Sequence, residues 1–204
     1  MTSLPFNLDH HWLPFTPNRG FMKEPRVLVA ADGMHFTTYD GKKVVDGISS
    51  LWCVAAGHNR RPINEAIKKQ LDTLDYATAF QATNDQAFRA AELLAQMAPG
   101  DLNKVLFCNS GSEAVDTALK VALAYHRARG EGHRTMFIGR ERGYHGVGFG
   151  GMSVGGIPAN RKAFGGALLP RVDHLRFIHD PVNHAYYNGV EPVWKDDQIG
   201  RAHV

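Results

Sequence analysis

Three short runs of apolar, β-branched and aromatic residues lie in the segment RVLVAADGMHFTTYDGKKVVDG, residues 26–47. Two Asp-Gly pairs separate these runs, at Asp32-Gly33 and at Asp40-Gly41. Asp-Gly between such runs is a strong hairpin signal, because both residues tolerate the positive φ angles of a tight two-residue turn. The pattern therefore predicts a small antiparallel meander.

After Gly57 the apolar positions change to a helical spacing. Pro62 suits the first turn of a helix, whose periodic positions are Ile63, Ala66, Ile67, Gln70, Leu71 and Leu74. A second helix is predicted from a cap at Thr83 or Asn84 to a stop at Pro99-Gly100. One face of that helix carries Ala87, Ala91, Leu94 and Ala98.

A strand–helix–strand pattern follows. Residues 104–107 form a β-like run, the next segment is helical to about Ala128 with Gly130 as C-cap, and residues 135–138 form the next predicted strand. This order predicts a right-handed crossover and a mostly parallel sheet, so the fold class is α/β.

The remainder of the chain predicts little regular structure. Residues 143–166 are glycine-rich, and no long element is predicted beyond Pro170. A parallel sheet of two or three strands would leave an open edge and an uncovered face, so we expect the chain to be part of a larger protein.

The predicted helix that ends near Ala128 begins within the segment NSGSEAVDTALK, residues 109–120. Ser110 and Glu113 fit the S-x-x-E capping box, which by itself accounts for both residues. Gly111 allows close approach of a ligand to the backbone, and Ser112 adds a hydroxyl beside the free N–H groups of the first turn. A strand, a tight turn and a helix N-terminus together make an anion site. Simple capping and phosphate binding both remain open from these residues alone.

Nucleotide-binding motifs fit less well. The chain has no G-x-x-x-x-G-K-[ST] sequence, which argues against a P-loop. Gly146, Gly148 and Gly151 match G-x-G-x-x-G, but the match lies several residues after its strand and no long helix follows it. We interpret it as a chance match.

Metal binding and disulfide formation are also poorly supported. His174, His179 and His184 are five residues apart, which places them on different faces of a helix, so a metal site is not expected. Cys53 and Cys108 are far apart and in no CxxC spacing, which favours a reducing compartment.

Composition indicates an ordinary globular chain of 204 residues, with 44% hydrophobic and 21% charged residues. A net charge of +3 without a basic block does not indicate a nucleic-acid or membrane partner. The first residues lack the pattern of a signal peptide, and no run approaches the ~18 apolar residues of a membrane span. The expected localisation is cytoplasmic.

Two aromatic residues lie where a ligand could contact them. Trp52 follows the predicted meander, and Tyr144, flanked by Gly143 and His145, follows a predicted strand. Each could be a buried packing residue or a flat platform for a ligand ring, and local sequence leaves both readings open.

Several segments in order resemble the class III pyridoxal-phosphate aminotransferases, most closely the ω-amino acid:pyruvate (β-alanine:pyruvate) branch. The similarity extends from residue 8 to about residue 180. It rests on HHWLPFTPNRGF, VVDGISSLWCVAAGH, LDYATAFQATND, NSGSEAVDTALK and IGRERGYHGVGFGGMSVGGIPANR. This resemblance implies fold type I, with a small-lobe meander and the first part of a large, mostly parallel domain.

The resemblance also implies roles for individual residues. Pyridoxal 5′-phosphate would be bound through Ser110, Gly111, Ser112, Tyr144 and His145. Gly111 and Ser112 would hold its phosphate, Tyr144 would lie against its ring, and His145 would lie beside it. The substrate pocket would be lined by Phe15 and Trp52 and, across a dimer interface, by Phe80. The partners implied are a small-molecule amino donor, pyruvate, and further copies of the chain in a dimer or tetramer.

The family's Schiff-base lysine and the aspartate that pairs with the pyridinium nitrogen are expected beyond residue 204, so no catalytic residue is assigned in this chain. None of the nine lysines has the required context: Lys23, Lys42, Lys43, Lys68, Lys69, Lys104, Lys120, Lys162 and Lys195. We expect the 204-residue chain to be an inactive N-terminal fragment.

The expected domain organisation is an N-terminal arm and meander over 1–57 and an incomplete cofactor domain over 58–198. Residues 199–204, IGRAHV, resemble a translated sequencing-library adapter and are expected to be a non-native tail. Two alternatives stay open. The first is another class III aminotransferase of ornithine, 4-aminobutyrate or diaminobutyrate type, and the second is a non-catalytic phosphate-binding α/β module.

Overall fold

A computed structural model describes residues 6–177 of the chain. The chain divides into two compact units, Met1–Arg89 and Ala90–Val204. The expected domain bounds of 1–57 and 58–198 stay a prediction, and the proposed tail 199–204 lies outside the described residues. Within the described part, no helix has the length and apolar content that crossing a membrane requires.

The first unit contains the predicted meander. Its strands are β1 (Leu28–Asp32), β2 (His35–Thr38) and β3 (Lys43–Val45), paired antiparallel in the order β1-β2-β3. Both turn glycines have positive φ, 54° at Gly33 and 82° at Gly41. The meander prediction from the two Asp-Gly pairs is confirmed.

Three α-helices flank the meander in sequence, and the third of them crosses the boundary between the two units at Arg89. They are α1 (Asn18–Lys23), α3 (Arg61–Thr73) and α4 (Asp85–Met97). Pro62 lies in the first turn of α3, as predicted. The amide oxygen of Asn84 accepts a hydrogen bond from Ala87 N at 2.9 Å, so Asn84 caps α4, as one of the two predicted positions.

Between β3 and α3 the chain makes one turn of left-handed helix, α2 (Ser49–Trp52). Its four residues have φ of 49°, 49°, 57° and 70° in chain order. The turn is closed by hydrogen bonds from Trp52 N to Ile48 O, at 3.0 Å, and from Val54 N to Ser49 O, at 3.1 Å. L-residues pay roughly 1–2 kcal/mol each for a left-handed helical conformation, so neighbouring groups must hold this turn.

The second unit contains the longest of the described helices, α5 (Gly111–Ala128), with Gly130 at φ 78° just beyond its end. After it come β4 (Phe137–Arg140), α6 (Phe149–Val154), α7 (Pro158–Phe164), a 3-10 turn (Gly165–Ala167) and β5 (Val172–Leu175). Strands β4 and β5 pair in parallel, with Phe137 opposite Val172. The predicted long helix is therefore confirmed, and a parallel strand pair is present, although it is not the pair that the sequence pattern predicted.

Two local predictions in this unit were wrong. Residues 104–107 form no strand, because no described strand pairs with them. The parallel crossover instead joins β4 to β5 through α6 and α7, within a stretch where the sequence pattern had indicated only glycine-rich loop. The contacts that order this stretch come from α5, as described below.

Burial in the described part centres on α6. Val154 is its buried apolar side chain, at 7% exposure, and Ser153 is fully buried. The Ser153 hydroxyl donates to Phe149 O and accepts from Leu169 N, at 2.6 and 2.8 Å. Ser153 therefore ties α6 to the segment leading into β5, and α6 is fixed on both sides.

Candidate functional site

The N-terminus of α5 has the predicted capping box. Ser110 is the N-cap, and its hydroxyl oxygen accepts a hydrogen bond from Glu113 N at 3.1 Å. The carboxylate of Glu113 accepts from Asn109 N at 2.8 Å and from the Asn109 side-chain amide at 3.1 Å. In the standard capping box the side chain at this position bonds to the N–H of the N-cap residue, whereas Glu113 bonds to the N–H of Asn109, one residue earlier. The N–H of Glu113 itself donates to Ser110.

Gly111 and Ser112 occupy the first two helical positions, whose N–H groups have no partner inside a helix. Within residues 6–177, no acceptor is found for either N–H group. A Cβ placed on Gly111 would meet nothing within 4 Å, so the space beside it is open. Two free donors, open space and the positive end of the helix dipole make a position suited to a phosphate or carboxylate.

A second segment, residues 144–147, is docked on this helix end. Val147 N donates to the Ser112 hydroxyl oxygen at 2.9 Å. Gly146 has φ of 108°, and a Cβ placed there would lie 2.6 Å from Ser112 Cα. Because the Ser112 oxygen accepts from Val147, its hydroxyl proton remains available to donate to an anion.

Asp116 makes a second tie between α5 and the glycine-rich stretch. Its carboxylate accepts a hydrogen bond from Gly151 N, in the first turn of α6, at 2.7 Å. A Cβ on Gly150 would lie 2.7 Å from the same oxygen. Asp116 and Val147 were not among the predicted site residues, and the glycine spacing over 146–151 was the sequence signal for both.

Tyr144 and His145 both line a shallow, open depression. Met152, Ile157 and Asn160 also line it. The Tyr144 side chain is 54% exposed, so it is accessible to a ligand and is not a buried packing residue. Tyr144 belongs to the same loop as residues 146 and 147, which contact Ser112.

The three aromatic residues predicted for the substrate pocket belong to the first unit. Trp52 is 82% exposed, and Phe15 and Phe80 are each 77% exposed. Phe15 has φ of 50° in a loop that Asn18 holds by accepting from Leu13 N and donating to Leu13 O, both at 2.9 Å. Across the described residues, no ring of these three contacts another aromatic ring. All three are displayed to solvent.

Residues 6–177 contain no group of three or more His, Cys, Asp or Glu side chains arranged to hold a metal ion. His174 lies on β5, where its Nε2 is 2.8 Å from Gly155 O and 3.2 Å from Arg161 Nη1. His179 and His184 lie outside the described residues.

Comparison with known proteins identifies the family. The class III aminotransferase family profile matches residues 18–195. The chain is 58% identical over 173 residues to an omega-aminotransferase of Caulobacter vibrioides, covering 85% of this chain. It is 50% identical over 175 residues to the beta-alanine–pyruvate aminotransferase of Pseudomonas aeruginosa, covering 86%. It spans 39% of the length of each relative.

Solved structures give the same result. An (S)-enantioselective omega-transaminase from Thermomicrobium roseum matches with a TM-score of 0.80 at 32% identity, over 84% of this chain and 39% of that one. An omega transaminase from Pseudomonas jessenii in complex with PMP matches with a TM-score of 0.79 at 30% identity, over 84% of this chain and 38% of that one. The prediction of an α/β, fold-type I architecture is confirmed. The chain therefore belongs to the class III aminotransferases, a family of pyridoxal-phosphate-dependent enzymes.

Proposed function

We propose that the complete protein transfers an amino group from an ω-amino acid or amine to pyruvate, using pyridoxal phosphate. The relatives at 58% and 50% identity carry the names omega-aminotransferase and beta-alanine–pyruvate aminotransferase, which supports this substrate class. The observation that carries the proposal is the open N-terminus of α5, where two free N–H groups and the Ser112 hydroxyl converge beside the docked segment 144–147.

The residues present fit the cofactor's phosphate. The N–H groups of Gly111 and Ser112 and the hydroxyl proton of Ser112 would donate to its oxygens, while Ser110 is committed to capping Glu113 N. Tyr144 would contact the ring and His145 would lie beside it. Bound pyridoxal phosphate supplies an electron sink for the carbon that loses a proton during amino transfer. The chain's own contribution is to bind and orient that group.

Trp52 and Phe15 would form apolar walls of the amino-donor pocket, with Phe80 contributed from another copy in a homodimer or tetramer. All three are exposed in this chain, as are many of its other large apolar side chains. An apolar wall suits an amine whose reacting carbon bears no carboxylate. Cys53 and Cys108 are both free thiols, which supports a reducing, cytoplasmic setting.

The direct test is an assay of the complete gene product, and of the 204-residue chain, with β-alanine or 1-phenylethylamine and pyruvate. We expect alanine formation by the complete product and none by the 204-residue chain, since the latter has no lysine in the Schiff-base context. Donor and acceptor profiling separates this proposal from an ornithine, 4-aminobutyrate or diaminobutyrate transaminase. Binding of nucleotide in preference to pyridoxal phosphate, without turnover, would instead support a non-catalytic module and overturn the proposal.

A further inference from the structure

The left-handed turn α2 ends at Trp52, so the backbone of that turn sets where the indole is placed. None of its four residues is glycine, the residue that adopts positive φ without steric conflict. Such a conformation persists only where surrounding groups determine it, and strained backbone of this kind is concentrated at functional sites. Those surrounding groups can be named for α2.

Asp46 provides the main restraint on the turn. Its Oδ1 accepts hydrogen bonds from Ile48 N, at 3.3 Å, and from Ser50 N, at 3.0 Å. Its Oδ2 accepts from the Ser50 hydroxyl at 3.0 Å. One carboxylate therefore holds the residue before the left-handed turn and a residue within it. The Asp46 side chain is 4% exposed, which protects these bonds from competition with water.

His58 completes the restraint. Its Nε2 lies 2.8 Å from Asp46 Oδ2 and carries the proton, since the carboxylate is the acceptor. The His58 ring packs on the Phe36 ring at a centroid distance of 4.5 Å, and its side chain is 12% exposed. Its backbone N–H donates to Gly33 O at 2.7 Å, and its carbonyl accepts from Gly33 N at 3.3 Å. The imidazole is thus fixed to the meander, and it fixes Asp46.

We propose that Asp46 and His58 are positioning residues for the amino-donor pocket: they hold the left-handed turn that presents Trp52. This inference rests on the proposed function, because it takes Trp52 as a pocket wall. It adds to that function two polar residues that act through the backbone of α2. Loss of the Asp46 carboxylate releases α2, and Trp52 then loses its fixed place.

The first test is a double-mutant cycle in the complete gene product, using Asp46→Ala, Trp52→Ala and the double variant. Because a pocket wall contributes to ground-state binding, Asp46→Ala should raise KM for the amino donor about tenfold with kcat little changed. In the Trp52→Ala background it should change KM less than about twofold, since residues acting through one element are not additive. Asp46→Asn keeps an Oδ1 acceptor for both backbone hydrogen bonds, so its KM for the amino donor should stay close to the wild-type value.

Asp40→Ala is the matched control. Asp40 lies in the β2–β3 turn of the same meander, bonded to Thr38 and Lys42 and not to α2. This variant should leave KM and kcat at wild-type values. Additive KM effects of Asp46→Ala and Trp52→Ala would overturn the proposal, because they would show that Asp46 acts on the whole fold and not through Trp52.

Hydrogen exchange measured by mass spectrometry tests the inference without any activity. In Asp46→Ala, and in His58→Ala, exchange of the amides of Trp52 and Val54 should become at least about tenfold faster, while peptides of α3 keep their rates. If Asp46→Ala does not fold, His58→Ala, which removes the imidazole bonded to Asp46 Oδ2, is compared with wild type in the same way. Unchanged exchange in the turn would overturn the positioning role. The two proposals can fail separately. If the wild type does not transaminate but exchange is faster in the variants, the proposed function is rejected and the structural role of Asp46 is retained.

Discussion

The hydroxyl of Ser112 accepts a hydrogen bond from the backbone N–H of Val147, at 2.9 Å, between residues 35 positions apart in the chain. This bond joins the N-terminus of α5 to the loop that carries Tyr144. In this bond the Ser112 oxygen is the acceptor, so the hydroxyl proton of Ser112 is available to donate a hydrogen bond to an anion. One contact therefore both orders the loop and prepares the donor group that the proposed phosphate site needs.

Replacing Gly146 with alanine should separate these two segments. The new Cβ would lie 2.6 Å from Ser112 Cα, on a backbone whose φ of 108° L-residues rarely adopt. We expect a loss of about 2 kcal/mol or more of unfolding free energy, together with weaker cofactor binding. Urea unfolding and cofactor titration measure the two effects. Gly166→Ala is the control, because a Cβ there meets nothing within 4 Å. Equal behaviour of the two variants would contradict the close packing of the loop on α5.

Replacing Ser110 with alanine should remove the helix cap. Glu113 N would lose its acceptor, so we expect a decrease of about 1 kcal/mol in unfolding free energy. The control is Thr73→Ala. It removes an exposed hydroxyl that donates to Lys69 O in the last turn of a different helix, α3. That control should change stability by less than about 0.5 kcal/mol. A larger effect for Thr73→Ala than for Ser110→Ala would show that Ser110 is not the cap.

The stabilisation that Asp46 provides should depend on pH. The hydrogen bond from Ser50 N is the largest cause that lowers the pKa of Asp46, to about 2 from 3.8, while burial opposes it and His58 adds to it. Because the folded pKa is depressed, the stabilisation is complete above the unfolded pKa and is lost as pH falls towards 2. The difference in unfolding free energy between wild type and Asp46→Asn should be constant above about pH 5 and shrink between about pH 4 and pH 2. A difference that grows on acidification would reverse the assigned sign.

Local signals in the sequence predicted the parts of the fold that local interactions determine. The Asp-Gly pairs at 32–33 and 40–41 identified the meander, and periodicity with caps identified α3, α4 and α5. The capping box was recognised because Ser110 and Glu113 are three residues apart and bond to each other directly.

Long-range contacts explain what the sequence pattern could not predict. The helix α6 has six residues, fewer than two turns, so its apolar spacing does not repeat, and the bond from Gly151 N to Asp116, 35 residues away, holds it on α5. The left-handed turn α2 contains neither glycine nor asparagine, the usual sequence signals for positive φ. Its conformation is held instead by hydrogen bonds to Asp46, which precedes the turn in the chain. Residues 104–107 have strand-like composition, yet a strand also needs a partner that local sequence does not reveal.

The most direct test of the central claim is the ratio of the dissociation constants for pyridoxal and pyridoxal phosphate, measured on the apo form of the complete gene product. The two ligands differ by the phosphate alone, so their ratio isolates the contribution of the α5 N-terminus. Ser112→Ala should lower the preference for the phosphorylated ligand about tenfold, as expected for the loss of one hydrogen bond to a charged group. Ser112→Thr, which keeps the hydroxyl, should retain the preference. An unchanged ratio in Ser112→Ala would show that the phosphate is bound elsewhere and would contradict the account.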